Sequence, residues 1–211
     1  MRERATRIRT TTAGPATETE ISRIRRTHGL RGAIAIVALS LLGAAACGGS
    51  KQGPFAWLKP QPVPSGWGVA SIPTGAQLAY PPGWRTIHGD PGTATAALIA
   101  PGGRYVGYLN VTPKQGNEQI AGWASFRLSH NADEGDRNIT RLASGTGLRF
   151  LTGTGSCVKD AYTTSIGVRY IETACIVKGS TSTSVVVGAT TPGTSARITP
   201  LLERAISGFR T

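Results

Sequence analysis

Three cysteines and three histidines are the side chains through which this chain could do chemistry. With Cys47 set aside, Cys157 and Cys175 remain as a pair in alternating, β-prone sequence. An even number of thiols in an exported chain forms a disulfide, and closing this loop would contribute about 3 kcal/mol on a chain-entropy argument. A redox role has no Cys-x-x-Cys to support it, and two thiols with scattered histidines make no metal ligand set. His88 sits beside the turn Gly89-Asp90-Pro91-Gly92, and His130 ends a helical pattern, where the helix dipole favours a cation. The nucleophile motif Gly-x-Ser-x-Gly is absent, so hydrolysis would need His88 or His130 to converge with a Ser and an Asp from separate segments. Asp133, Glu134 and Asp136 lack calcium-loop spacing and read as a solvated loop. Gly145-Thr146-Gly147 and Gly153-Thr154-Gly155 precede no helix and carry no phosphate-binding Lys, so they read as strand boundaries. The residues themselves imply no catalytic centre, no cofactor and no metal.

Cys47 belongs to a different chemistry. Arg23, Arg25, Arg26 and Arg31 precede an uncharged run over residues 32–46 that ends Gly43-Ala44-Ala45-Ala46-Cys47-Gly48-Gly49-Ser50. A cationic leader, a short apolar run and small residues before a cut are the parts of a signal peptide, and the run is too short for a spanning helix of ~20 residues. Ala45 and Ala46 fit the lipobox before a lipid-modified cysteine, while Ala44 stands where Leu is preferred. The expected outcome is cleavage before Cys47 and thioether-linked lipidation of that residue, because only two chains or more hold a protein stably at a membrane. An ordinary secretory cut after Ala46 and an uncleaved signal anchor are the alternatives. The Arg25-Arg26 pair lacks the apolar pair of a twin-arginine signal.

The organisation follows: 1–46 a signal peptide, 47–66 the lipidated Cys with a tether, and 67–211 one globular domain. Pro54, Pro60, Pro62 and Pro64 make residues 51–66 read as an extended spacer reaching ~50 Å at ~3.1 Å per residue, holding the domain clear of the headgroups. The formal charge of +12 includes the eight Arg and three Glu of residues 1–46. The rest stays basic, but its cations lie singly, which suits anionic surfaces and not nucleic acid.

Positioning falls to alternating strands and two helices. Runs over 77–80, 84–87, 94–100 and 104–111, divided by Pro/Gly turns, predict an antiparallel meander. Asn117 predicts the cap of a helix from Glu118 to about His130, with Ile120, Trp123, Ala124 and Arg127/Leu128 on one face. Alternation over 147–154, 158–164, 168–177 and 183–189 predicts a second meander, with Cys157 and Cys175 on neighbouring strands. Thr199 and Pro200 predict the start of a last helix, whose stripe Ile198, Leu201, Leu202, Ala205, Ile206 and Phe209 packs on the sheet. Trp84 and Trp123 fit the core. The fold class is α+β, a predominantly antiparallel β-sheet covered by two helices.

This order of elements, together with Leu78-Ala79-Tyr80-Pro81-Pro82-Gly83-Trp84 and the ending Ala205-Ile206-Ser207-Gly208-Phe209, resembles the PsbP-like family in its bacterial lipoprotein, LpqN-type branch. The resemblance spans about residues 69–210. It implies a PsbP-like sandwich and a binding or assembly role at the extracytoplasmic face of the cell membrane, and it transfers no catalytic residue. The expected partners are the membrane, through lipid on Cys47, and an envelope protein or polymer. The alternatives are a small apolar ligand carried between sheet and helix or, failing that, the hydrolase reading.

Overall fold

The computed structural model describes residues 53–211, so the signal peptide expected over 1–46 and the lipidation expected at Cys47 lie outside the described residues. Nine strands and two helices follow in order: β1 (Gly68–Ser71), β2 (Gln77–Tyr80), β3 (Arg85–Ile87), β4 (Ala94–Ile99), β5 (Tyr105–Pro113), α1 (Trp123–Asp133), β6 (Arg137–Arg149), β7 (Thr154–Thr163), β8 (Arg169–Lys178), β9 (Thr183–Thr190) and α2 (Ser195–Ser207). β3 to β9 form one antiparallel sheet in the order β3-β4-β5-β9-β8-β7-β6, and β1 with β2 forms a separate hairpin. The two expected meanders are therefore joined edge to edge by β5 and β9.

Each strand shows one residue set to each helix. On one face Leu109, Val111, Val177 and Val186 meet Ile198, Leu202, Ala205, Ile206 and Phe209 of the α2 stripe, with Leu78 of the hairpin alongside. Close approach there depends on glycine. A Cβ at Gly107 would lie 3.0 Å from Ile198, and one at Gly188 3.2 Å from Leu202, so side chains at either position would lift the helix. On the other face Val158, Ala174, Ile176, Val185 and Val187 lie under Trp123, whose indole N–H donates to the Ala174 carbonyl at 2.9 Å. Cys157 and Cys175 are paired in register on β7 and β8 and form the disulfide.

Several boundaries differ from expectation. α1 starts at Trp123, because Gly122 takes a left-handed φ of 79° and breaks the chain direction there. Glu118, expected inside the helix, instead accepts the Gln115 backbone N–H at 2.6 Å. The last helix starts at Ser195 and encloses Pro200; the upstream pair Thr191-Pro192 opens it through a 3-10 turn. β6 is longer than expected and reaches back to Arg137, and the 147–154 run contains the β6–β7 turn.

Residues 53–66 depart from an extended spacer. Phe55 is 6% exposed within the α2-side core, with Trp57 and Leu58 packed beside it. Its ring lies 2.9 Å from where a Cβ at Gly145 would stand. The Gln61 N–H donates to the Ser207 carbonyl and Arg204 donates to that of Pro62, so this segment runs along the end of α2 as part of the fold. Among the described residues no helix is long and apolar enough to cross a membrane.

Candidate functional site

α1 packs over β6, β7 and β8, with Trp123 reaching β9, and leaves the β4-β5 part of the same sheet face open. The resulting groove holds about 320 Å³. Its floor comes from alternate residues of three strands: Thr95 on β4, Tyr108, Asn110 and Thr112 on β5, and Val185 and Val187 on β9. Arg127, His130 and Glu134 of α1 make one wall, Gln115 and Glu118 close one end, and Asp90 stands with Gly89 and Thr93 across from them. Asn110 donates to the Thr95 hydroxyl at 2.8 Å, which fixes the amide on the floor.

Tyr108 also borders a second opening of about 410 Å³ beyond α1, lined by Tyr105, Tyr162 and Tyr170 with Glu134 and Asp136 on its rim. Tyr108 and Tyr170 meet edge to face with centroids 5.5 Å apart. At the lip Ile166, on the β7–β8 turn, is 85% exposed.

A buried polar network holds Tyr108 in place. Glu172 on β8 is fully buried and accepts two bonds from Arg127, Nε at 2.7 Å and Nη2 at 3.0 Å. The Tyr162 hydroxyl donates to it at 3.0 Å and that of Tyr108 at 3.3 Å, and the two hydroxyls are 2.8 Å apart. Burial works against the Arg127 charge, but the Glu172 carboxylate more than offsets it and holds the guanidinium protonated. Burial, then the Glu172 charge, push both tyrosines far above the usual phenol range. Neither the two phenols nor the guanidinium exchanges protons near neutrality. The arrangement is a rigid, charge-paired floor.

Beside it, Asn131 Nδ2 donates to Asp160 Oδ2 at 3.0 Å. Asn131 Oδ1 and Asp160 Oδ1 are buried and have no hydrogen-bond partner. Burial, reinforced by Glu172, raises the Asp160 carboxyl from 3.8 to about 7.

The residues singled out from the sequence fall in different places. Cys157 and Cys175 form a structural crosslink on the α2 side, away from the groove. His130 does reach the groove, where Nε2 lies 3.1 Å from Glu134 Oε1 and the ring stacks on Phe126. His88 is exposed near the opposite wall, and the hydroxyls lining the groove belong to threonines and Tyr108. Asp133, Glu134 and Asp136 sit on α1 and just after it, and no group of three metal-ligating residues is found among the described residues. The sequence placed Arg127 on the apolar face of the helix without a partner, and it gave no role to Asn131, Asp160 or Glu172. A signal was present: Asp160 and Glu172 occupy inward positions of otherwise apolar strands, where an unpaired charge would be costly.

No family profile and no curated protein matches the chain. Among solved structures it is similar to the cyanobacterial PsbP (CyanoP) of Synechocystis, with a TM-score of 0.50 and 14% identity over 69% of this chain and 92% of that one. LpqN of Mycobacterium tuberculosis, described as involved in cell envelope biogenesis, aligns over 77% of this chain and all of its own at a TM-score of 0.38 and 10% identity. A Pseudomonas aeruginosa protein of unknown function aligns over 67% and 94% at 0.44 and 13%. The chain thus has the PsbP-like fold indicated by its Tyr80-to-Trp84 opening and its terminal helix.

Proposed function

We propose that this protein is a lipid-anchored extracytoplasmic binding domain, which holds an envelope protein or polymer in the groove beside α1 and performs no reaction on it. The groove carries this reading. Its walls carry Asp90, Glu118 and the His130–Glu134 pair, and the Arg127–Glu172 pair holds Tyr108 of its floor in place. Such a preorganised polar surface suits an extended partner better than a small apolar ligand, which needs an enclosed apolar cavity. A hydrolase would need a nucleophile within hydrogen-bond reach of His130, whose ring meets Glu134 through Nε2 and stacks on Phe126.

The test is photo-crosslinking of the full chain in its native envelope, with the probe at Thr95 or Thr112 on the groove floor or at Thr181 as an outside control. A discrete adduct from the groove positions alone is the expected result. Equal labelling from Thr181, or a His130-dependent esterase activity in the purified protein, overturns the reading. Intact mass of the membrane-extracted chain tests the anchor separately: it should begin at a diacylated Cys47.

A further inference from the structure

The acidic residues are distributed unevenly between the two sides of the sheet. Asp90, Glu118, Asp133, Glu134 and Asp136 lie on or around the α1 groove, and the buried Asp160 and Glu172 face the same way. Among the described residues this leaves Glu203 as the one carboxylate side chain on the α2 side, and it is half-buried with Lys159 near it. Basic residues occur on both sides, so the α2 side is the one left strongly positive. Arg197 and Arg204 project from the outer surface of α2, opposite its buried stripe. Lys59 is exposed on the segment docked along it. Arg210 borders a slot of about 230 Å³ shared with Pro62, Val63 and Val69, and Val69 is 56% exposed.

The N-terminal segment meets the fold on this same side, where Phe55 enters the α2-side core. Phe55 lies eight positions after Cys47, a reach of at most about 28 Å. A chain anchored at Cys47 therefore cannot carry this side far from the headgroups. That step rests on the anchored reading above; the charge argument does not.

We propose that the α2 side is a membrane-contact surface that binds anionic phospholipid headgroups through Lys59, Arg197 and Arg210. The domain then lies with α2 toward the bilayer and the α1 groove turned outward. Arg204 adds charge while its guanidinium bonds the Pro62 carbonyl. Val63 and Val69 supply apolar contact at the interface.

The experiment uses residues 48–211, which keep every described element and lack both Cys47 and the signal segment, so binding is read independently of acylation. Sedimentation at low salt with phosphatidylglycerol-containing vesicles should retain the protein, and pure phosphatidylcholine vesicles should not. Each cation near an anionic surface is worth about five-fold in binding, so Lys59→Gln/Arg197→Gln/Arg210→Gln should weaken retention about 100-fold. The control Arg85→Gln/Arg104→Gln/Arg141→Gln should leave it within about five-fold. Circular dichroism confirms that both triples fold. Absence of binding to phosphatidylglycerol, equal retention by phosphatidylcholine, or an equal loss in the control triple overturns the proposal.

Discussion

Asp160→Asn should make this protein more stable at pH 8 and leave it nearly unchanged at pH 4. The side chain is fully buried, one carboxyl oxygen accepts from Asn131, and the other faces no donor. Burial raises its pKa from 3.8 to about 7, so across that window the folded chain keeps a proton that the unfolded chain has released. With more protons bound in the folded state, stability falls as pH rises from about 4 to about 7 and then levels off. At about 1.4 kcal/mol per pH unit the whole window is worth roughly 4 kcal/mol, lost by the wild type and not by the amide. Asn preserves the shape, accepts from Asn131 and presents an N–H where the acid form carries its proton. Urea unfolding at half-unit steps from pH 4 to 8 measures the effect as a difference between the two proteins. Asp136 and Glu203, also raised chiefly by burial, titrate in both and cancel. Parallel pH profiles, or a variant less stable than wild type at pH 8, would refute the reasoning.

Three further substitutions probe the architecture. Glu172→Gln leaves Arg127 charged in the interior and should cost about 3–5 kcal/mol in urea unfolding, with Arg127→Met in the same chain restoring part of the loss. Replacing Cys157 and Cys175 together by Ser should cost about 3 kcal/mol, read as a lower unfolding midpoint that reductant no longer moves. Phe55→Ala should cost about 3–5 kcal/mol if residues 53–66 belong to the fold, and nothing measurable if they are a loose spacer.

The strands bounded by Pro/Gly turns were legible because alternation and turn chemistry agree there: β2 to β5 and β8 to β9 fall within a residue or two of expectation. The pairing of Cys157 with Cys175 followed from the same alternation. β6 was partly hidden. Asn138 adopts φ 56°, and register shifts interrupt the strand at three places, so its inward residues do not keep a period of two. The N-terminal segment misled by composition, since its prolines suggested a spacer while Phe55, Trp57 and Leu58 between them supply buried surface. The groove could not be read at all, because it is built where α1 stops short of β5, and the reach of a helix across a sheet is decided by packing. Glu172 and Asp160 were visible as charges in apolar strands, but their partners on α1 are brought to them only by the tertiary fold.

The pairing of β5 with β9 also bears on how the chain folds. Gly107 stands opposite Thr190 in that ladder, so the centre of the sheet closes only after nearly all of the domain has emerged. Until then β5 is an open edge ready to pair with other chains, and loop closure over such a separation is slow. A chain threaded through a membrane N-terminus first would stay unlocked during its passage and gain its central ladder, together with the cover of α2, only once the last strand arrived. The position of β9 thus ties closure of the central ladder to the arrival of the last of the nine strands.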